Sequence, residues 1–248
     1  MRDVIIIGGG VSGLATAHAL AARGLDVSVL ERQRQVGGNA ISERRDGFLM
    51  EHGPTTLNAA FAPAMGIIRG LGLDQSAVDL GAGVRKRYLY DGGRLQGIST
   101  HPLGFFTSPY LSFGGKISLA GEILRARRSG GGEETIHAFA TRRFGAEFAD
   151  KVIEPMAAGI FMGASRDLSI RGAFPRLVEM EARYGSILRA VIAAKRGSDP
   201  GRRLFSWPGG IATLPRRLAA ELGDRVATGT AVIRVTRDAM GFVVTTAR

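Results

Sequence analysis

The sequence contains no cysteine, which excludes disulfides, thiolate metal ligands and a cysteine nucleophile. It has only four histidines, and their spacing does not match a histidine metal site. No apolar run approaches the roughly 18 residues of a membrane-spanning helix. The apolar residues 4–7 are too few for the core of a signal peptide. We therefore expect a cytoplasmic protein without a metal centre, because the lack of cysteine is typical of a reducing compartment.

Acidic residues are scarce relative to basic ones, with 22 Asp and Glu against 33 Lys and Arg, so the net charge is +11. The excess is concentrated in residues 81–128 and 189–217, each of which carries +6. Such zones indicate a membrane surface, a nucleic acid or an acidic small molecule as partner, or else a solvated arginine-rich surface. No nucleic-acid motif accompanies them, so we expect no nucleic-acid partner.

The N-terminal pattern predicts a βαβ unit. A β-branched run at 3–7 predicts a parallel strand buried on both faces, and apolar spacing from Val11 predicts a helix that ends before Gly24. A second strand is predicted at 26–31. Farther along, helices are predicted near 60–72, 114–128, 135–144, 146–162, 170–196 and 211–222, a hairpin at 87–95, and strands at 225–228, 231–236 and 242–246.

This order of elements predicts an α/β fold in which a Rossmann-like domain is interrupted by a largely helical domain. We place the first part of the nucleotide-binding domain at 1–84, the mostly helical region at 85–200 and the return segment at 201–248. With 45% hydrophobic residues the chain can bury a core of this size.

Gly8, Gly10 and Gly13 form a G-x-G-x-x-G pattern between the first strand and the first helix. In this context the glycines permit a tight turn, a close approach to a pyrophosphate and close packing of helix on strand. The helix N terminus, which includes Ser12, would offer free N–H groups to the phosphates. Glu31, at the end of the second strand, is expected to bond a ribose hydroxyl, and it disfavours a 2′-phosphate.

A second glycine pair, Gly37-Gly38, follows Glu31 and Arg32, and residues 47–54 end in Glu51-His52-Gly53-Pro54. With these features the sequence resembles the flavin-containing amine oxidoreductases, which carry a glycine pair after the acid and an acid-x-Gly-Pro turn. The resemblance implies FAD as cofactor, held by the first turn, Glu31, Arg32, Gly37, Gly38, Gly53 and Pro54. Family members usually have R-x-G-G-R here, whereas Gln35 and Asn39 replace both arginines, which argues against a typical amine oxidase.

A second set of sequence motifs resembles one particular branch of these proteins. Residues 154–163 (EPMAAGIFMG) lead to Leu168-Ser169 and to Phe174-Pro175, and residues 205–210 read FSWPGG. This order is similar to that of the protoporphyrinogen oxidase family. The resemblance implies oxidation of a porphyrinogen to a porphyrin in haem biosynthesis, with peripheral contact to the inner face of a membrane. Most residues of these motifs are expected to pack against other helices and loops, and no catalytic residue is assigned.

The resemblance also implies roles for two further residues. Arg87, before a Tyr-Leu-Tyr strand, is implied to face a propionate of the substrate, although a solvent-facing strand charge fits the pattern equally. Val232 is implied to lie on the strand whose backbone meets the adenine. The aromatic segment 105–113 is open to three interpretations: membrane contact, a pocket wall or ordinary core.

Other interpretations stay open. They are an FAD-dependent oxidoreductase of amines or isoprenoids in the same superfamily, a catalytically incomplete flavoprotein, and a non-catalytic anion-binding protein. The resembling enzymes continue beyond the length of this sequence. We therefore expect residues 1–248 alone to bind FAD weakly through its adenosine end, and to oxidise porphyrinogen slowly or not at all.

Overall fold

A computed structural model describes residues 1–79, 81, 86–99, 108–128, 130, 132–194 and 203–247. The chain divides into two units, the first formed by Met1–Leu80 with Pro200–Arg248 and the second by Gly81–Asp199. The predicted domain boundaries at 84/85 and 200/201 fall outside the described residues, as does the aromatic pair Phe105-Phe106.

The first unit is built on a three-stranded parallel sheet. It contains β1 (Val4–Ile7), β2 (Val27–Leu30) and β10 (Val226–Ala227), in the order β1-β2-β10. Helix α1 (Val11–Ala21) connects β1 to β2, so the predicted βαβ unit is present. The prediction that β1 is buried on both faces is wrong, because Ile7 is 55% exposed and Ile5 is also exposed. Only Val4 and Ile6 pack on the core, since alternate side chains of a strand point to opposite faces.

The rest of the first unit packs around this sheet. A hairpin of β3 (Ser42–Arg45) and β4 (Phe48–Glu51) turns at Asp46-Gly47, a turn that the secondary-structure prediction missed. Its other elements are β5 (Leu57–Asn58), α2 (Ala62–Gly70), β6 (Val78–Asp79), β9 (Leu204–Ser206) and α10 (Thr213–Leu222). The core joins Leu14 of α1, Ile68 of α2, Leu218 of α10 and the pair Phe205–Trp207, whose rings meet edge to face.

The first unit also carries a two-stranded hairpin, β11 (Val232–Asp238) with β12 (Gly241–Thr246), as the sequence predicts. Ile233 and Val235 on β11 and Phe242 and Val243 on β12 are exposed. A two-stranded hairpin with apolar residues on its surface gains little stability by itself.

The second unit begins with a hairpin of β7 (Lys86–Asp91) and β8 (Arg94–Ser99), followed by helices. They are α3 (Phe113–Ala120) with a 3₁₀ turn (Gly121–Leu124), α4 (Ile136–Phe144), α5 (Ala146–Phe148) with a π-helical turn (Ala149–Ile153), α6 (Glu154–Phe161), α7 (Ile170–Ala173), α8 (Pro175–Tyr184) and α9 (Ile187–Ala194). Their apolar faces share one core that includes Leu119, Phe139, Ala157 and Ile187. In the described part of the chain, no helix is long and apolar enough to cross a membrane.

The single helix predicted over 170–196 is three helices, so that prediction is wrong. Pro175 occupies the first turn of α8, where its missing N–H is tolerated, and it ends the preceding helix. Gly185 closes α8 in the left-handed conformation at φ 70°. Helix α9 then starts at Ile187, with Ser186 and the N–H groups of Ile187 and Leu188 bonded to Glu122.

A buried charge network stabilises the second unit. Glu122 and Arg143 are both fully buried and form an ion pair. Arg143 also donates to the carbonyl oxygens of Arg125, Ala126 and Gly185 at 3.1–3.2 Å. Burial raises the pKa of Glu122, but its hydrogen bonds from Ser186, Ile187, Arg143 and Leu188 outweigh that effect and lower it overall. The glutamate therefore stays charged and fixes α9 to α4.

Candidate cofactor-binding site

The first glycine turn has a backbone that requires glycine. Gly8 adopts φ 106°, and its N–H donates to the carbonyl oxygen of Leu30 at 2.8 Å, which ties the turn to β2. A Cβ atom on Gly13 would overlap the Gly8 carbonyl oxygen and lie 3.3 Å from Ile6. Helix α1 can therefore pack this closely on β1 only with glycine at position 13.

Helix α1 presents its N terminus without a cap. Its preceding residue, Gly10, has no side chain to bond the first turn, and no acidic residue lies in that turn. Ser12 is exposed there, and its carbonyl oxygen accepts a bond from Thr16. The unoccupied N–H groups and the helix dipole suit a bound anion such as a phosphate.

Glu31 lies at the carboxyl end of β2, with only 8% of its surface exposed. Its carboxylate accepts the N–H of Gly9 at 2.6 Å and the N–H of Gln33 at 2.7 Å. A carboxylate has about four acceptor positions, so two stay available for the hydroxyls of a ribose. Glu31 thus has a structural role that the sequence did not reveal, because it holds the glycine turn against β2. Arg32 beside it is exposed.

The second glycine pair lies against the first turn. The Gly37 N–H donates to the Gly9 carbonyl oxygen at 2.8 Å, and Gly10 and Gly37 form a parallel bridge. Both glycines have left-handed backbones, with φ 122° at Gly37 and 61° at Gly38. A Cβ on Gly38 would lie 3.3 Å from the Gly10 Cα, so side chains here would close the space between the two turns.

The Gly53-Pro54 turn lies next to this pair in space. A Cβ on Gly53 would overlap the carbonyl oxygen of Asn39, the residue that stands where the family pattern has its second arginine. The N–H of His52 donates to the carbonyl oxygen of Ile41 at 2.9 Å and continues this contact. Residues 37–41 and 52–53 therefore run side by side.

Ser42 was not singled out from the sequence, and Glu51 was named only as part of the acid-x-Gly-Pro pattern. The Ser42 hydroxyl donates to Glu51 at 2.6 Å, and Glu51 accepts the N–H of Ile211 at 2.9 Å. The Ser42 oxygen also accepts the N–H of Ala212 at 3.0 Å. Together they hold the β3–β4 hairpin on the start of α10. The sequence signal for Glu51 was its place as the acid of the Glu51-x-Gly-Pro pattern. In the structure its carboxylate binds a backbone N–H group.

The return segment passes directly beside Glu31. The N–H of Thr230 donates to the Glu31 carbonyl oxygen and that of Gly229 to the Gln33 carbonyl oxygen, both at 2.8 Å. Val232 follows two residues later, half-buried, and pairs with Thr246 in the hairpin. The fold thus brings the predicted adenine-side residue into the same part of the first unit as the acid.

Arg87 belongs to the second unit, whereas the other predicted site residues belong to the first. It lies on β7, pairs with Ile98 of β8 and is exposed. Paired residues of a hairpin share a face, so Arg87 shares its face with the buried Ile98, while Tyr88 and Tyr90 occupy the other. No hydrogen bond from Arg87 to another described residue occupies its guanidinium.

Two of the four histidines contact a carboxylate side chain. Among the described residues, no group of three or more His, Asp or Glu side chains could hold a metal ion. His52 pairs with Glu43 and His137 pairs with Asp150, each at 2.8 Å.

The residues present fit a dinucleotide. The uncapped helix suits a pyrophosphate, the two free acceptor positions of Glu31 suit a ribose, and the space between Gly10 and Gly38 would be filled by any side chain. These observations are compatible with a dinucleotide bound in the first unit, and the individual ligand contacts stay predictions.

Comparisons with known proteins agree with a dinucleotide cofactor. The model of a family described as flavin containing amine oxidoreductase matches residues 11–248. Protoporphyrinogen oxidase 1 of Arabidopsis thaliana chloroplasts is 32% identical over 245 residues, covering 90% of this chain and 45% of that protein. Coproporphyrinogen III oxidase of Propionibacterium freudenreichii is 32% identical over 207 residues, covering 81% of this chain and 39% of that protein. The chain spans about half the length of the curated relatives it matches.

Solved structures show the same fold. A protein described as a protoporphyrinogen oxidase from Exiguobacterium sp. 255-15 has a TM-score of 0.76 at 24% identity, over 98% of this chain and 56% of that one. Cyclohexylamine oxidase from Brevibacterium oxydans IH-35A has a TM-score of 0.70 at 20% identity, over 100% of this chain and 55% of that one. The Rossmann-type fold predicted from the sequence is thereby confirmed. The flavin cofactor predicted from the sequence agrees with the description of the matching family as flavin containing. With the family model matching almost all of its length, the chain belongs to the flavin-containing amine oxidoreductases.

Proposed function

We propose that the protein takes part in the FAD-dependent oxidation of a porphyrinogen to a porphyrin, a reaction of haem biosynthesis. The observation that carries this proposal is the 32% identity, over 81–90% of the chain, to relatives named protoporphyrinogen oxidase and coproporphyrinogen III oxidase. The amine oxidases among the similar structures share the fold at 20–22% identity, which carries no substrate information.

The chain's own residues would bind and orient the cofactor. The N terminus of α1 and the turn at Gly8–Gly13 would hold the pyrophosphate, and Glu31 would hold the adenosine ribose. A flavin held there would supply the redox chemistry, as an acceptor for the hydride equivalents of the reduced macrocycle with dioxygen as the final oxidant. Ser42 and Glu51 contribute indirectly, because they fix the β3–β4 hairpin that leads into Gly53-Pro54.

Arg87 would bind a carboxylate of the substrate. Its guanidinium presents two parallel donors, which match a propionate group better than an ammonium does. Since it is exposed, it can reach a ligand without first breaking a buried ion pair.

We also propose a peripheral membrane contact at the inner, cytoplasmic face, made through helix α3 and its 3₁₀ turn. Phe113, Ile117 and Leu124 are exposed along one side of this segment, and Lys116 lies among them. Apolar side chains next to cations suit the surface of an anionic bilayer. Co-sedimentation with anionic vesicles should fall when Ile117 and Leu124 are both changed to Ser, and unchanged binding would contradict the contact.

The function is tested with purified protein supplied with FAD. Protoporphyrinogen and coproporphyrinogen are each added, and formation of the fluorescent porphyrin is followed above the rate of autoxidation. Putrescine and cyclohexylamine are assayed in parallel for amine oxidation. Porphyrin formation that requires FAD supports the proposal. Amine oxidation without porphyrin formation would overturn it. Binding of neither flavin nor porphyrin would also overturn it.

A further inference from the structure

A cavity in the second unit lies among helices α4, α7 and α8. Its volume is about 390 Å³, and residues 127–128 and 132–134 also line it. Ligand pockets in proteins have volumes of roughly 300–1,000 Å³. The cavity therefore has room for a small ligand. Every residue that lines it belongs to the second unit, whereas the candidate cofactor residues belong to the first.

The inner part of the cavity is apolar. Phe139 of α4 and Ile170 of α7 line it and are buried, with 2% and 4% of their surfaces exposed. Val178 and Ala182 of α8 line it as well. An apolar group placed against these side chains would leave water, which favours binding in proportion to the buried area.

The acids that line the cavity already have partners. Glu134 and Glu181 each receive two hydrogen bonds from Arg142, at 2.7–3.0 Å. Burial raises the pKa of Glu181, but the bonds from Arg142 outweigh that effect and lower it overall. Glu133 accepts the Ser169 hydroxyl at 2.7 Å and is exposed to water. The two less exposed carboxylates are thus neutralised within the protein, so they do not make this a cation site.

Three arginines also line the cavity, and their guanidinium groups are only weakly engaged. Arg128 lies 3.5 Å from Glu134, and Arg127 reaches the Ala182 carbonyl oxygen at 3.5 Å. Arg171 is exposed, and no described residue accepts a hydrogen bond from its guanidinium. A guanidinium binds a carboxylate through two parallel donors. The arginines therefore provide donors for an anionic group.

Hydrogen bonds between distant parts of the chain hold the cavity open. The N–H of Arg128 donates to Glu181 at 3.2 Å, and the N–H of Ile170 donates to the Glu134 carbonyl oxygen at 3.0 Å. These bonds tie the segments before α4 to α7 and α8. A site that is formed before its ligand arrives loses less conformational entropy on binding.

We propose that this cavity binds a small amphiphilic carboxylate, an apolar chain that ends in one anionic group. The chain lies against Phe139 and Val178, and the carboxylate is bound by Arg127, Arg128 and Arg171. The exposed acid at position 133 favours a single negative charge over a multiply charged phosphate. The site is an addition to the proposed function and does not depend on it.

The test uses octanoate as the probe, below the concentration at which it forms micelles. Isothermal titration calorimetry of the purified protein should show saturable binding at one site. Octan-1-ol and octylammonium have the same chain without the anionic group, so they should bind at least about tenfold more weakly. Absence of saturable octanoate binding would overturn the proposal, and so would equal affinity for octanoate and octan-1-ol.

Two variants assign the binding to this cavity. Arg171→Ala removes a guanidinium that bonds no described residue, so the fold should be kept while octanoate affinity falls roughly tenfold. Ala182→Phe, at an exposed position of α8, should fill part of the cavity and also weaken binding. Thermal unfolding shows that each variant is folded.

Arg189→Ala is the matched control, because Arg189 is an exposed arginine of the same unit that does not line the cavity. It should bind octanoate as the unaltered protein does. Unchanged octanoate affinity in a folded Arg171→Ala or Ala182→Phe variant would overturn the proposal. Equal losses in Arg171→Ala and Arg189→Ala would overturn it too, because they would indicate a general effect of positive charge.

Discussion

Glu31 combines two tasks in one carboxylate. Its bonds to the N–H groups of Gly9 and Gln33 shape the glycine turn, and its remaining acceptor positions are predicted to bond a ribose. Removing it should therefore weaken cofactor binding by two routes, one through a lost contact and the other through a loosened turn. The two routes can be told apart with a flavin that lacks adenosine.

Glu31→Ala should weaken FAD binding by roughly 1.5–3 kcal/mol, the value of a hydrogen bond to a charged group. FMN has no adenosine ribose, so its affinity should fall less, through the loosened turn alone. Flavin fluorescence titrations measure both affinities, with Glu31→Gln as the variant that retains one acceptor oxygen. Equal losses for FAD and FMN would show that Glu31 acts only on the turn.

Arg87→Ala should raise KM far more for a carboxylated porphyrinogen than for its methyl ester, because only the acid can accept both guanidinium donors. Arg94→Ala, an exposed arginine on the opposite strand of the same hairpin, is the matched control. Steady-state kinetics with both substrates measure these KM values. A similar rise in KM for the acid and the ester would show that Arg87 does not bind the carboxylate.

The pair Glu122–Arg143 is a residue-scale test of stability. Glu122→Gln should lower the free energy of unfolding by about 3–5 kcal/mol, because Arg143 would keep a buried charge without its partner. Glu133→Gln changes an exposed acid of the same unit and should cost less than about 1 kcal/mol. Urea denaturation compares the two, and similar small losses would contradict the importance assigned to the buried pair.

At the scale of elements, helix starts in the second unit depend on acids that lie far away in sequence. Glu122 bonds the start of α9, and Glu147 bonds the start of α3 through the N–H of Ser112 at 2.9 Å and its hydroxyl at 2.5 Å. Lys151 donates to the same carboxylate at 3.0 Å. These bonds, the Ser112 hydroxyl foremost, lower the pKa of Glu147 from 4.5 to about 2.

The lowered pKa of Glu147 gives stability a defined pH dependence. A carboxyl group with a depressed pKa stabilises the fold fully above its unfolded value of 4.5, and this stabilisation is lost as pH falls toward 2. Glu147→Gln should therefore lower Tm at pH 6–7, with a difference from wild type that shrinks between about pH 4.5 and 2. Thermal unfolding monitored by circular dichroism measures it. A constant difference across that range would mean that the charge of Glu147 contributes nothing.

Local pattern predicted some elements well and others poorly, for physical reasons. The βαβ unit and the Asp238–Gly241 hairpin turn were predictable because their apolar periodicity and glycines act within a few residues. The break at 185 had local signals, Pro175 and Gly185, that the prediction of one long helix did not use, whereas the bonds from Glu122 to the start of α9 come from a residue distant in sequence. Similarly, Ser42 and the structural role of Glu51 were not predicted, since their partners Ala212 and Ile211 lie in the return segment.

At the scale of the whole molecule, apolar side chains remain on the surface of the first unit. Ile7 on β1 and Ile233 and Phe242 on the β11–β12 hairpin are all exposed. Exposed apolar groups of this size favour association. The burial of β1 could not be judged from its sequence, because an all-apolar strand does not reveal which of its faces are covered.

Changing Ile233 and Phe242 together to Ser should weaken self-association of the purified protein by at least about tenfold, since each contributes apolar area to a contact. Thr245→Ser on the same hairpin is the control. Sedimentation velocity over a range of concentrations measures the change, and identical association of both variants would show that the hairpin takes no part.

The parallel pairing of β2 with β10 also sets an order of events during synthesis. The first unit cannot complete its sheet until the ribosome has released Val226 and Ala227, by which time the whole second unit has already emerged. The helical unit, whose contacts are internal, can fold while the N-terminal βαβ unit still waits for its third strand. Completion of the sheet at the cofactor site therefore comes late. A pause in translation before position 226 would prolong the exposure of the open edge of β2 to chaperones and proteases.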